Sequence, residues 1–262
     1  MSTPSSTLAS SPLAEAVLYA DVTCPACYLA SLRTDLLTGA GLAAPQWRFV
    51  EHRPGVQVAA VRPDDQTQGA RERELAAVLA TVRAGEPLPE GALPRHVPAI
   101  LPSTSAAVTA YAEAFTAGVG DVVRRLLFAA YWRDGLDLGN SGVLRALLLG
   151  PVQHMIAARH DYAHPKPWPG GPWTGEAAVV PWTGNVISVA GGAITAQGER
   201  LVRRWRADRQ VLEAPACLTL LTAAGEVLNG AAALDPLLLP DDLLSATVDP
   251  AEVDEPPLAA AG

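Results

Sequence analysis

The stretch DVTCPACYLASL, Asp21 to Leu32, carries two of the chain's three cysteines and directly follows the apolar run VLYA, Val17 to Ala20. Residues Ala16 to Val22 read as a strand apolar on both faces, as at the centre of a sheet. From Pro25 the period changes: Tyr28, Leu29, Leu32, Leu36 and Leu37 follow helical spacing, and Gly39 and Gly41 supply stops. A helix that begins at Pro25 makes Cys24 its N-cap and puts the proline where its missing N–H costs no hydrogen bond. Cys27 lies three residues on, so both sulfurs share one side of the first turn. Unpaired amides and the helix dipole favour a thiolate at that N-terminus, which can lower a cysteine pKa from about 8.5 into the range of roughly 3.5–7.5. Cys24 is therefore expected to be the exposed nucleophile and Cys27 the more buried resolving thiol.

A close cysteine pair is open to three chemistries: a metal clip, a structural disulfide, or thiol–disulfide exchange. A structural zinc site takes four ligands, commonly from two paired knuckles. Here there is one pair, Cys217 is far away in sequence, and Pro165 follows at once on the i,i+4 pair His160 and His164. No metal and no cofactor are expected on that count. The N-terminal MSTPSSTLASSPLAEA has no basic start or unbroken apolar stretch, and no apolar run approaches a membrane span, so a cytoplasmic location is expected. In a reducing compartment a single close pair is more often catalytic, redox-sensing or metal-binding than a permanent staple.

Across 262 residues, 49% hydrophobic and 18% charged, the composition is that of a globular chain long enough to bury a core. The net charge of −8 weighs against nucleic acid or an anionic membrane surface as partner. Lys166 is the only lysine, and with alanine and arginine this abundant, isolated residues of those two types carry little functional weight.

Outward from the cysteines, QWRFVEHRPG reads as a second strand over Gln46–His52, closing a βαβ unit of parallel strands. A helix is expected over Ala70 to Arg83, followed by a proline-rich connection. The region Ser103–Tyr162 is strongly helical: one helix capped by Ser103 with Val108, Tyr111, Ala112 and Phe115 on a stripe, one from Val119 to Arg133, a third over Ser141 to Leu149, and a fourth led by Pro151. His164 to Gly184 is too rich in proline and glycine for a regular element, and NVISVAGGAIT suggests a hairpin across Gly191 and Gly192. An amphipathic helix over Gly198–Arg209, strands over Pro215–Leu221 and Glu226–Leu228, and a last helix over Ala231–Leu244 complete the chain.

VLYADVTCPACYLASLRTDLL followed by WRFVEHRP resembles the start of the DsbA-like members of the thioredoxin superfamily, nearest to the FrnE-like and 2-hydroxychromene-2-carboxylate isomerase-like branch. The helical stretch TAYAEAFTAGVGDVVRRLLFAAYWRDGLDL, with its pair Tyr131-Trp132, is similar to that branch's helical insert, and EAPACLTLLTAAGEVLNGAAAL to its cis-proline strand, hairpin strand and final helix. The resemblance implies an α/β thioredoxin-like fold with a helical domain inserted after the second strand. Its expected division is a disordered 1–12, a thioredoxin-like domain from 13–55 and 185–246, a mainly helical insert with a Pro/Trp-rich loop at 56–184, and a loose acidic tail at 247–262. It further implies Cys24 as nucleophile, Cys27 as resolving cysteine and Pro215 as the cis-proline facing them, with Pro25, Ala26 and Ala214 meeting the substrate. The activity implied is exchange with protein or small-molecule disulfides or dithiols, with glutathione a possible co-substrate. The chain departs from the branch in two places: Pro-Ala stands between the cysteines in place of a dipeptide with an aromatic or histidine, and Ala216 replaces the usual threonine after the proline.

Two alternatives remain open. A glutathione-dependent isomerase or transferase of the kappa type typically keeps serine at the nucleophile position, so the intact pair counts against it. A redox-sensing binding or chaperone-like protein would keep the fold without turnover. Among other residues, Asp21 reads either as a proton relay near Cys27 or as a polar strand end, and His52 as a loop anchor. Cys217 reads as a small buried hydrophobe, and Trp168, Trp173 and Trp182 as groove lining or loop packing.

Overall fold

A computed structural model describes residues 13–52, 60–162, 186–213, 216–241 and 243. Strand β1 (Val17–Ala20) leads to helix α1 (Pro25–Gly39) and strand β2 (Gln46–Phe49). Helices α2 (Asp65–Leu79), α3 (Ser105–Thr116), α4 (Gly120–Trp132), α5 (Ser141–Tyr162) and α6 (Ala196–Val211) follow, and then strands β3 (Thr219–Leu221) and β4 (Val227–Asn229). The sheet order is β2-β1-β3-β4, with β1 parallel to β2 and antiparallel to β3, and β3 antiparallel to β4. A βαβ unit joined through its first strand to an antiparallel hairpin is the thioredoxin-like arrangement, and all four expected strands share this one sheet.

Alternation along the strands sorts the two faces. Trp47 and Phe49, opposite Leu18 and Ala20, pack on the helices: Phe49 stacks on Tyr111 of α3 with ring centroids 4.2 Å apart, and Phe128 of α4 meets Trp47 and Phe49 edge-on. On the alternate positions Arg48 hydrogen-bonds the Tyr19 hydroxyl and Asp208 of α6. Tyr28 of α1 stacks on Trp132, so one aromatic cluster ties the βαβ unit to the inserted helices.

Several element limits differ from the sequence reading, each for a local reason. Asp64, not a later residue, caps α2 through Thr67 N–H at 2.7 Å, so that helix starts earlier than expected. Thr104, rather than Ser103, is the N-cap of α3. Pro151 lies inside a continuous α5 instead of starting a new helix. It is exposed, so water can satisfy the Leu147 carbonyl it leaves unpaired, and Gly150 before it has no Cβ to clash with the ring. Residues 186–189 form a helical turn, not a hairpin strand: the Ala190 N–H donates to the Val186 carbonyl at 3.0 Å, an i,i+4 bond. The expected last helix is replaced by two 3₁₀ turns, Gly230–Ala233 and Asp235–Leu237. Pro236 has no N–H to continue an α-helical ladder there.

Arg33 of α1 is buried together with Glu86, bonded through Nε at 2.7 Å and Nη2 at 2.9 Å, and also donates to the carbonyls of Thr81 and Leu234. Removing one partner strands a buried charge. Glu86→Ala should cost about 3–5 kcal/mol in chemical denaturation, whereas the double change Arg33→Met with Glu86→Leu should recover most of it.

Candidate active site

Cys24 is the N-cap of α1, in extended backbone conformation, and Pro25 occupies the first turn, as the sequence reading required. The loop before it is held by Asp21. One carboxylate oxygen accepts from the backbone N–H and hydroxyl of Thr23, both at 2.8 Å, and the other from His52 N–H at 2.7 Å and the Thr104 hydroxyl at 3.0 Å. Burial pushes the Asp21 carboxyl up from its ordinary pKa, and these four donors oppose the rise. Of its two sequence readings, the contacts match the polar strand end: its carboxylate ties β1, the end of β2 and the start of α3 together. Thr104 caps no backbone amide of α3, because its hydroxyl is turned to Asp21.

A small cavity opens over the cysteines, lined by Thr23, Cys24, Pro25, His52, Arg71, Glu74, Val97, Leu101, Trp132 and Cys217. Trp132 is fixed there by its indole N–H, which donates to the Val22 carbonyl at 2.9 Å. Cys24 was expected to be exposed. It is only 4% exposed, because α2 and the segment through Val97 and Leu101 wall the cavity in. Cys27, fully buried, conforms to expectation.

Cys217 is buried in the core, as expected, and also stands beside the CxxC pair. Its sulfur lies 3.8 Å from that of Cys27, and the three sulfurs of Cys24, Cys27 and Cys217 all lie within 4.8 Å of one another. All three cysteines are free thiols. Burial disfavours charge on Cys24, but the neighbouring Cys217 and Cys27 thiols and the Cys27 and Ala26 amides at the start of α1 outweigh it and favour a pKa well below the usual thiol value. Cys27 and Cys217 are pushed well above it, by burial first and then by their place beside the Cys24 sulfur. Cys27 and Cys217 share a sulfur–sulfur hydrogen bond, and Cys24 beside them is the thiol most readily ionised.

His52 enters the cavity lining, and its backbone also anchors the loop end. Pro25 lines the cavity, whereas Ala26 is buried beneath it. Ala214, Pro215, His164, Trp168, Trp173 and Trp182 lie outside the described residues, as does the side chain of His160. Sequence reasoning missed Arg71, Glu74 and the part of Cys217. A signal for the last existed in the pairing: β3 runs antiparallel to β1 with Tyr19 opposite Thr219, and extending that register two steps brings residue 217 opposite Asp21.

No family model matches the chain, and no curated protein matches it. Among solved structures, it is similar to a probable DsbA oxidoreductase from Streptomyces coelicolor, at 14% identity and a TM-score of 0.48, over 94% of this chain and 93% of that one. No helix among the described residues is long and apolar enough to cross a membrane.

Alkylation of the reduced protein should label Cys24 first, with half-maximal rate at a pH below the ordinary value of about 8.5. Because the Cys217 thiol stands beside the Cys24 sulfur and favours its thiolate, Cys217→Ala should move that midpoint upward, and Cys217→Ser, which keeps a polar hydrogen, should move it less. Equal midpoints in all three proteins would show that Cys217 only packs.

Proposed function

We propose that this protein is a thiol–disulfide oxidoreductase of the DsbA-like kind, acting through Cys24 and Cys27 on protein or small-molecule disulfides and dithiols. The observation that carries this reading is the Cys24 sulfur at the start of α1, lining a cavity within 4.8 Å of the Cys27 sulfur. In the reductive direction the Cys24 thiolate attacks one substrate sulfur, forming a mixed disulfide and expelling the other as thiolate. The Cys27 thiol gives its proton to that departing thiolate, and its sulfur then attacks Cys24. This releases the second substrate thiolate, which takes a proton from water, and leaves the pair oxidised. The reverse sequence oxidises a substrate dithiol.

The FrnE-like assignment, a cis bond at Pro215, and contact of Pro25, Ala26 and Ala214 with substrate belong to the same proposal and rest on the sequence resemblance. Glutathione is a candidate co-substrate, and the cytoplasm the proposed location. The kappa-type alternative is disfavoured by the second cysteine, which that chemistry does not need.

Stabilising the thiolate stabilises the reduced pair, which raises its reduction potential. The potential in a glutathione redox buffer is therefore expected to be less negative than the roughly −270 mV of thioredoxin. Incubated with a disulfide-bonded protein, Cys27→Ser should accumulate a covalent mixed disulfide that Cys24→Ser does not, and both should lose turnover to background. Equal trapping by the two variants, or glutathione conjugation that persists in Cys27→Ser, would refute the oxidoreductase reading.

A further inference from the structure

Cys217 forms no disulfide in a two-cysteine exchange cycle, yet its sulfur closes a triangle with the proposed catalytic pair. We propose that the reduced protein binds one thiophilic divalent cation, Zn²⁺ or Cd²⁺, through the sulfurs of Cys24, Cys27 and Cys217.

The spacing fits. Zinc–thiolate bonds of about 2.3 Å put neighbouring sulfurs roughly 3.8–4.0 Å apart in tetrahedral or trigonal geometry, and Cys27 and Cys217 already stand at 3.8 Å. With all three sulfurs within 4.8 Å, closing the site on an ion needs side-chain shifts of less than an ångström or so. The three ligands come from two supports: the N-cap and first turn of α1, and the chain entering β3. They are 4%, 0% and 9% exposed, so water competes poorly for the ion. Cys24 and Cys217 line the cavity, so a fourth coordination position faces its interior, open to solvent or an incoming thiolate.

Charge selects the ion. Three thiolates around a divalent cation leave one net negative charge. The Arg209 guanidinium, which donates to the Ala216 carbonyl and lies close enough to Cys217 and Cys27 to interact with both electrostatically, offsets it. A monovalent ion would leave a buried excess of negative charge and a trivalent one an excess of positive. The sequence count weighed against a metal because Cys217 is 190 residues from Cys27, a separation the fold removes. Cation and disulfide are mutually exclusive, since both use Cys24 and Cys27.

The full chain, reduced and kept anaerobic, would be titrated with Cd²⁺ alone while following the ultraviolet sulfur-to-metal charge-transfer band. The expected result is one Cd²⁺ per chain with a band for three thiolates. Cys217→Ala should lose about a third of its intensity and at least about tenfold in affinity. Independently of that variant's folding, Zn²⁺ bound to the unsubstituted protein should protect all three cysteines from alkylation, read by mass spectrometry. No band, a band unchanged in Cys217→Ala, or Zn²⁺ protection confined to Cys24 and Cys27 would each overturn the three-sulfur site. The mixed-disulfide trapping by Cys27→Ser does not depend on any of these outcomes, so the site can fail while the oxidoreductase reading stands.

Discussion

The Asp21 carboxylate is the constraint on which the site depends. It sits at the end of the central strand, buried, and spends its two oxygens on four donors from three separate parts of the chain. A buried carboxylate is tolerated only when its lone pairs are filled, and each hydrogen bond to a charged group is worth about 1.5–3 kcal/mol. The Thr23 bonds turn the chain sharply enough that Cys24 can start α1. The His52 bond closes the end of β2 onto β1, and the Thr104 bond brings in the first turn of α3. Through these contacts the inserted helices are positioned against the cysteine loop, and Trp132 of α4 adds its own bond to the Val22 carbonyl on the same loop.

What the sequence made legible follows from how local the signals are. Hydrophobic period, the position of Pro25 and the CxxC spacing all act within one or two turns, and β1, α1 and β2 appear where those signals put them. The limits went astray where one local rule competed with another. β-branched Val186 and Ile187 looked like a strand, but an i,i+4 backbone bond closes a helical turn there. Pro151 looked like a helix start, but an exposed proline after a glycine can ride inside a helix. Ala231 to Leu244 had helical composition, and Pro236 confined it to single turns.

The cavity was harder to read because it is made by long-range packing. Nothing in the sequence around Arg71 or Glu74 announces that α2 will face the cysteines, and Cys217 in an apolar stretch has the composition of core. Its place follows only once β3 is known to pair antiparallel with β1, because strand register then carries residue 217 to the loop after β1. Topology, rather than motif, brings the third sulfur to the other two.

That placement changes the physics of the pair. A thiolate at a helix N-terminus that is open to water is stabilised by amides alone, with solvent supplying the rest. Here the walls of the cavity remove most of that solvent, which by itself would raise the Cys24 pKa. Two neighbouring thiols favour the Cys24 thiolate in place of the lost hydration, and their own pKa values are raised by burial and by standing beside that charge. Burial and thiolate character, opposed in an isolated cysteine, are therefore compatible in a cluster of three, and the cost is moved onto Cys27 and Cys217 as raised pKa values. Cys27 must be deprotonated to resolve a mixed disulfide, and formation of that mixed disulfide removes the negative charge beside it. In the proposed exchange, the first step would thus ease the second by relieving the repulsion that disfavours ionisation of the Cys27 thiol.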